Sequence, residues 1–362
     1  MTDIHSKLQP QQLGAVLDAV EEVIDAPPAE RTGLLRALLG GEPRLVESAL
    51  EMLALEGGGG GLEAPVDSLS KSGSHREEVG PYRLHEEIGR GGMGQVFLAS
   101  RSDGTIDRRV ALKLVHPGLV TKEVIARFER ERQVQASLLH PGIAVLLDGG
   151  ATADGLPYLV MEHVDGQRVD RWSDEKRLSL DDRLALFIKI AGAVAFAHGS
   201  RVIHRDLKPS NILVTAEGEP KLLDFGIAKV LDGGGLAEET LTVEGMQRMT
   251  PAYASPEQLR GQEVTVATDI YSLGTLLFEL LTGHMPHMLD GCSVAEIERS
   301  VCEEPARRPS RAVMESREVR AEDAADGTRT VDATELGERR QATPTNLRRR
   351  IQGDLELSLI HI

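Results

Sequence analysis

The chain has 362 residues, room for one large domain or two modest ones with a sizeable core. Its 41 Lys and Arg against 57 Asp and Glu leave a formal charge of −16, which excludes holding nucleic acid or anionic lipid by bulk charge. Two cysteines, Cys292 and Cys302, exclude a disulfide framework or a cysteine-rich zinc site; they fit structural thiols in a reducing, cytoplasmic setting. With 41% hydrophobic and 27% charged residues, no apolar run of about 18 and a polar start without a secretory core, the chain reads as globular, neither membrane-spanning nor secreted.

In chain order, residues 1–56 read as a small helical module. Leu13, Val16, Leu17, Val20 and Ile24 recur at helical spacing until Pro27-Pro28 stops the helix. Leu34, Leu35, Leu38 and Leu39 mark a second short helix, and Val46, Ala49, Leu50 and Leu53 a third. Five glycines, Gly57 to Gly61, open a linker over 57–79. Residues 1–79 hold 14 acidic and 6 basic side chains, either a solvated acidic face for a packing module or a partner-docking surface. From Pro81 short β-rich runs follow: Tyr82–Glu87, Gln95–Ser100, Arg109–Val115, Ile143–Leu147 and Pro157–Glu162, interrupted by a helix over about Thr121–Leu139. After Asp170 the pattern is helical, with long periodic segments at Leu180–His198 and Thr268–Leu281. Strands first and helices later predict an α+β architecture of two lobes with a cleft between them. Residues 305–346 lose periodicity, are rich in Arg, Glu, Ala and Thr, and are expected to be a disordered insert.

Three motifs carry chemistry. Gly89-Arg90-Gly91-Gly92-Met93-Gly94 is followed by a strand-like run, Gln95 to Ala99, and not by the helix that a dinucleotide turn requires. The glycines therefore close a β-hairpin whose backbone N–H groups can approach phosphate oxygens. Lys113 sits in the apolar run Val110-Ala111-Leu112-Lys113, where burial is costly without a partner; Glu131 and Glu129 are the candidate carboxylates and a phosphate the other partner. His204-Arg205-Asp206-Leu207-Lys208-Pro209-Ser210-Asn211 packs a base, two cations and an amide into one loop. Thirteen residues on, Asp224-Phe225-Gly226 ends a short apolar strand and offers a hard oxygen for Mg²⁺.

Taken in order, with Ser255-Pro256-Glu257 further on, these residues resemble the protein kinase family, and in wording its bacterial, eukaryotic-like serine/threonine branch. The resemblance covers about 80–304 and implies a two-lobed fold, with a small β-rich lobe over about 80–162 and a helical lobe from about 163. It implies ATP and Mg²⁺ as cofactors, with Mn²⁺ as an alternative metal. Gly89, Gly91 and Gly94 would cover the phosphates, and Val96, Ala111 and Leu213 would sandwich adenine. Glu162 and Val164, with His163, would bond adenine through the hinge backbone behind Met161. Lys113 would hold phosphates and pair with Glu131. Asp206 would orient the substrate hydroxyl and take its proton, with Lys208 beside it, while Asn211 and Asp224 would hold metal. Lys208 and Thr250 mark the serine/threonine type. Arg205 implies an activation segment ordered by phosphorylation, with Thr240 and Thr242 as autophosphorylation sites and self-association as the route. Asp269 would buttress the catalytic loop.

Two departures bear on activity. Gln135 stands one turn after Glu131, where the family places an apolar residue against Phe225. At the other end, 347–356 reads as the start of a lobe remainder and Leu357 to Ile362 as a non-native scar, so a truncated lobe is expected. The reading is a kinase acting on protein Ser/Thr hydroxyls, with no nucleic acid and no membrane segment in this chain. The rival is an inactive nucleotide-binding or scaffold module.

Overall fold

The computed structural model describes residues 35, 36, 38, 39, 46, 78–91, 94–102, 108–115, 132, 135–225, 251–289, 291–320 and 328–362. The chain divides into two compact units, Met1–Ser74 and His75–Ile362. In the first, Leu35, Arg36 and Leu38 are helical, and Leu35, Leu39 and Val46 are buried. This matches the second short helix expected there, and Val46 of the third is helical too; the first helix, the rest of the third and the expected linker up to residue 77 lie outside the described residues.

The second unit begins with a six-stranded antiparallel sheet. Its strands are β1 (Glu78–Val79), β2 (Tyr82–Gly91), β3 (Gly94–Arg101), β4 (Arg109–Val115), β5 (Leu146–Ala151) and β6 (Pro157–Glu162). The spatial order is β1-β2-β3-β4-β6-β5. β1 shows that sheet pairing starts two residues inside the stretch expected to be linker. Strand alternation sorts the side chains. Ala99, Val110, Leu112, Tyr158 and Val160 form a buried cluster on one face. Val96 stands opposite Lys113 and Leu98 opposite Ala111, so these four share the other face.

The strand expected over Ile143–Leu147 is shifted: Ile143 only bridges Leu222, and the strand runs from Leu146 to Ala151. Gly149-Gly150 lies within this strand, where the edge passes close to other groups. A Cβ on Gly150 would lie 2.8 Å from the Tyr158 hydroxyl oxygen. Of the helix expected over 121–139, residues 132, 135 and 136 are helical, whereas 137 is a turn and 138–139 are not helical, so the helix ends earlier than expected.

The helical lobe follows a three-stranded sheet in which β7 (Gly166–Arg168), β8 (Ile212–Thr215) and β9 (Pro220–Leu222) pair in that order. It contains α1 (Val169–Glu175), α2 (Leu180–Gly199), α3 (Pro256–Leu259), α4 (Val266–Thr282) and α5 (Val294–Glu303). Ser179 caps α2 by accepting the Asp182 N–H, and Thr265 opens α4 with a reciprocal capping box. Gly283 ends α4 at φ +71°, a left-handed cap that glycine adopts without strain. Ile190 and Val194 of α2, Leu276 and Leu280 of α4, and Leu207, Ile212, Leu222 and Phe225 form one core under the three-stranded sheet. Cys292 and Cys302 are free thiols, partly buried against the Ile297–Val301 face, as structural cysteines would be.

The disorder expected over 305–346 is corrected for the described residues, 305–320 and 328–346. This stretch holds α6 (Pro309–Ala312), a hairpin of β10 (Arg317–Arg320) with β11 (Thr328–Val331), α7 (Ala333–Glu338) and the start of α8 (Pro344–Ile351). Ala312, Val313, Leu336, Leu347 and Ile351 are buried against Leu277, Phe278 and Leu281 of α4. Each helix is too short to display a period, so its order depends on the α4 face it covers. The last residues also pack: α9 (Asp354–His361) buries Leu359 in the same cluster. Among the described residues no helix is long and apolar enough to cross a membrane.

Candidate active site

The site is assembled from both lobes of the second unit. The β2–β3 hairpin pairs Gly89 with Val96 and Gly91 with Gly94. The glycines thus close a hairpin, as their strand-like sequel requires. Gly94 sits at φ +149°, and a Cβ there would fall 2.0 Å from the Leu114 carbonyl oxygen, so only glycine fits. Lys113, central in β4, donates to Asp224 Oδ2 at 2.9 Å across 111 residues of sequence. The partner expected for it, Glu131, lies outside the described residues, as do Glu129, Thr240, Thr242 and Thr250. The neutralisation that burial of Lys113 demands is therefore met by the Asp224 carboxylate.

The loop after α2 is held by side chains from three other elements. Asp269 of α4, wholly buried, accepts the N–H groups of His204 and Arg205 at 2.8 Å each. His198 adds a contact to Asp269 Oδ2 at 2.7 Å. Gln258 of α3 donates to the Arg205 carbonyl at 2.8 Å. These bonds hold Arg205 at φ +67°, a region costly for a residue with a Cβ. His204 is buried, and burial pushes its pKa down although Asp269 and Asp206 oppose this. As a neutral ring it donates from Nε2 to the Leu223 carbonyl at 2.9 Å, and Leu223 N–H returns to the Asn211 carbonyl at 2.8 Å. The loop after α2 and the segment carrying Asp224 are thereby stitched together. The His204 ring also packs on Phe225, with centroids 4.7 Å apart.

Within the loop, Lys208 Nζ lies 2.9 Å from Asp206 Oδ2. Asn211 donates its amide to the Asp206 carbonyl at 2.8 Å and to Oδ2 at 2.9 Å. That orientation reserves Asn211 Oδ1 as an acceptor for a hard cation. With the Asp224 carboxylate it makes a sparse oxygen set, the kind Mg²⁺ takes when water and phosphate complete its shell. No denser group of metal-binding side chains exists among the described residues. The donor set thus fits a phosphate-bound cation.

Of the remaining site residues, Val96 and Ala111 lie on the Lys113 face of the sheet. Met161 is buried opposite Ala111, and Leu213 stands on β8 opposite Arg168 and Lys221. Val164 lies between β6 and β7. The Glu162 side chain is engaged by Lys221. Gln258, His198 and Lys221 were not singled out from sequence. For Gln258 the S-x-x-Q spacing of a capping box was a usable signal; for the other two only the fold brings the partner near.

A curled antiparallel sheet over a helical lobe, with a lysine, two aspartates and an asparagine at their junction, is the architecture of a two-lobed kinase domain. A model of the protein kinase domain matches residues 82–324, and the chain belongs to the protein kinase family. It is 40% identical over 220 residues to the probable serine/threonine-protein kinase PknB of Lactococcus lactis, covering 60% of this chain and 33% of that one. It is also 40% identical over 220 residues to serine/threonine-protein kinase PrkC of Bacillus subtilis, covering 60% and 32%. With serine/threonine-protein kinase pkn3 of Myxococcus xanthus the identity is 39% over 238 residues, covering 63% and 43%. The chain spans about a third of the length of most of these relatives.

Proposed function

We propose that this chain transfers the γ-phosphoryl group of ATP to serine and threonine hydroxyls of proteins. The observation that carries the reading is the convergence of Lys113 on Asp224 and of Lys208 and Asn211 on Asp206, joined through His204 and Leu223. In this reading the hairpin glycines admit the triphosphate, and Lys113 turns from Asp224 to its α- and β-oxygens. Asp206 accepts the hydroxyl proton as the oxygen attacks, and Lys208 offsets charge on the moving phosphoryl group. Mg²⁺, held by Asp224 and Asn211, would neutralise phosphate charge. No covalent nucleophile is needed, which agrees with a site built from cations and oxygen ligands. Val96, Ala111 and Leu213 supply apolar surface for the base, and the Glu162–Val164 backbone its hydrogen bonds. Autophosphorylation at Thr240 and Thr242, through self-association, belongs to the same reading.

Incubation with radiolabelled ATP and dephosphorylated casein tests it. Label should enter Ser and Thr of casein and of the chain itself, require Mg²⁺ or Mn²⁺, and fall about 10²–10⁴-fold in Asp206→Asn. Nucleotide binding without transfer by the wild type would instead establish an inactive binding module.

A further inference from the structure

Glu162 ends β6, in the six-stranded sheet, and its side chain reaches out of that sheet. Lys221 Nζ lies 2.8 Å from Glu162 Oε1 and 3.0 Å from Oε2. Oε2 also accepts the Val145 N–H at 3.2 Å. Each side chain of the pair is 20% exposed. Lys221 belongs to β9, in the other sheet, three residues before Asp224. A two-pronged ion pair therefore spans the two sheets.

The backbone closes a circuit around it. Glu162 N–H donates to the Val145 carbonyl at 2.8 Å, Ala144 N–H to the Leu222 carbonyl at 2.9 Å, and Leu222 N–H to the Gly142 carbonyl at 2.9 Å. Residues 142–145 are thus clasped between the end of β6 and the end of β9. Motion of one sheet against the other must bend this clasp. Main-chain bonds tolerate a small hinge rotation, whereas an ammonium seated on both oxygens of one carboxylate does not rotate without losing a contact. The pair is shielded enough that solvent screens it less than a surface bridge.

We infer that Glu162 and Lys221 form an ionic latch that stiffens the junction between the two sheets and slows the departure of nucleotide from the cleft. Both are positioning residues, since neither side chain reaches the reacting atoms. The inference rests on the kinase reading, because the cleft it governs is the nucleotide site. In enzymes that enclose their substrates, opening and product release often limit turnover. A latch at the hinge acts on that step and leaves the phosphoryl transfer itself alone.

Stopped-flow dissociation of N-methylanthraniloyl-ADP from the full chain, with Mg²⁺, measures the effect. Lys221→Met and Glu162→Gln should each raise the dissociation rate about three- to tenfold, the range a partly shielded pair supports. Lys221→Arg should stay within about twofold of wild type, since a guanidinium also spans a carboxylate. The double variant Glu162→Gln with Lys221→Met should be no faster than the faster single variant, because the two share one interaction. Hydrogen exchange over 159–164 and 212–222 should quicken in both single variants while exchange in α2 stays unchanged. Single variants that release nucleotide at the wild-type rate, or a double variant showing the product of the single effects, would overturn the latch. If even the wild type fails to bind the analogue, the kinase reading falls. Exchange then decides the latch alone: unchanged exchange at the two segments rejects it.

Discussion

Gln135 is a buried amide with an unmet requirement: among the described residues its Oε1 has no hydrogen-bond partner. It faces inward with Leu138, one turn on, while Ala136 and Ser137 between them face out. Leu138 belongs to the core that contains Phe225. Such an orphan costs about 1–3 kcal/mol, so Gln135→Leu should raise the urea unfolding free energy by about that amount. Asp206 tests chemistry without packing. In Asp206→Asn the oxygen that meets Asn211 survives and the proton acceptor does not. Transfer to casein should fall about 10²–10⁴-fold while the unfolding midpoint stays close to wild type. Residues of this kind were legible in sequence because a charge in an apolar strand or a dense polar loop is expensive and calls for a reason. Lys113, Asp206, Asn211 and Asp224 all met that criterion. Lys221 did not, because a lysine in a three-residue strand looks like any surface lysine until its carboxylate, 59 positions away, is known.

Elements were legible where a period could repeat. The helices α2 and α4 fall within two residues of their sequence limits, since 20 and 17 residues display several turns of one apolar face. The hairpin glycines were equally clear, and Gly94→Ala should unseat the β3–β4 pairing beside Leu114 and abolish binding of a fluorescent ATP analogue. The short helices over 305–346 escaped because their anchors are individual buried side chains. Arg183 of α2 and Arg340, just past α7, are each 1% exposed. Arg183 donates to Asp174 at 2.8 Å and, like Arg340, to the last carbonyls of α4. Burial acts to raise the Asp174 pKa, but Arg340 and Arg183 outweigh it and hold the carboxyl below its usual range. A carboxylate depressed in this way contributes stability that is complete above its unfolded pKa of about 3.9 and is lost as pH falls through its folded value. Asp174→Asn should therefore cost about 3–5 kcal/mol at pH 7, because it strands buried guanidinium charge. Urea unfolding at a series of pH values should show that deficit constant down to about pH 4 and shrinking below it.

For the whole molecule the relevant test is linkage. A nucleotide held between two lobes binds the folded unit alone, so a non-hydrolysable ATP analogue with Mg²⁺ should stabilise it. At a hundredfold excess over its dissociation constant the gain is about 2.7 kcal/mol, read as a rise in unfolding temperature. Lys113→Met should lose most of that rise while leaving the unliganded unfolding temperature nearly unchanged, since its partner Asp224 is 23% exposed and can be solvated. The sequence by itself determined the family of this protein: which costly residue types stand in the chain, in what order, and so which family they resemble. That information is local, because a motif is a cluster of costly residue types at short spacing. Only the tertiary structure decided which charges meet: Lys113 with Asp224, Glu162 with Lys221, and Arg183 and Arg340 around Asp174. Partner choice among many carboxylates depends on which strands and helices pack side by side, and that is settled by burial summed over the whole chain.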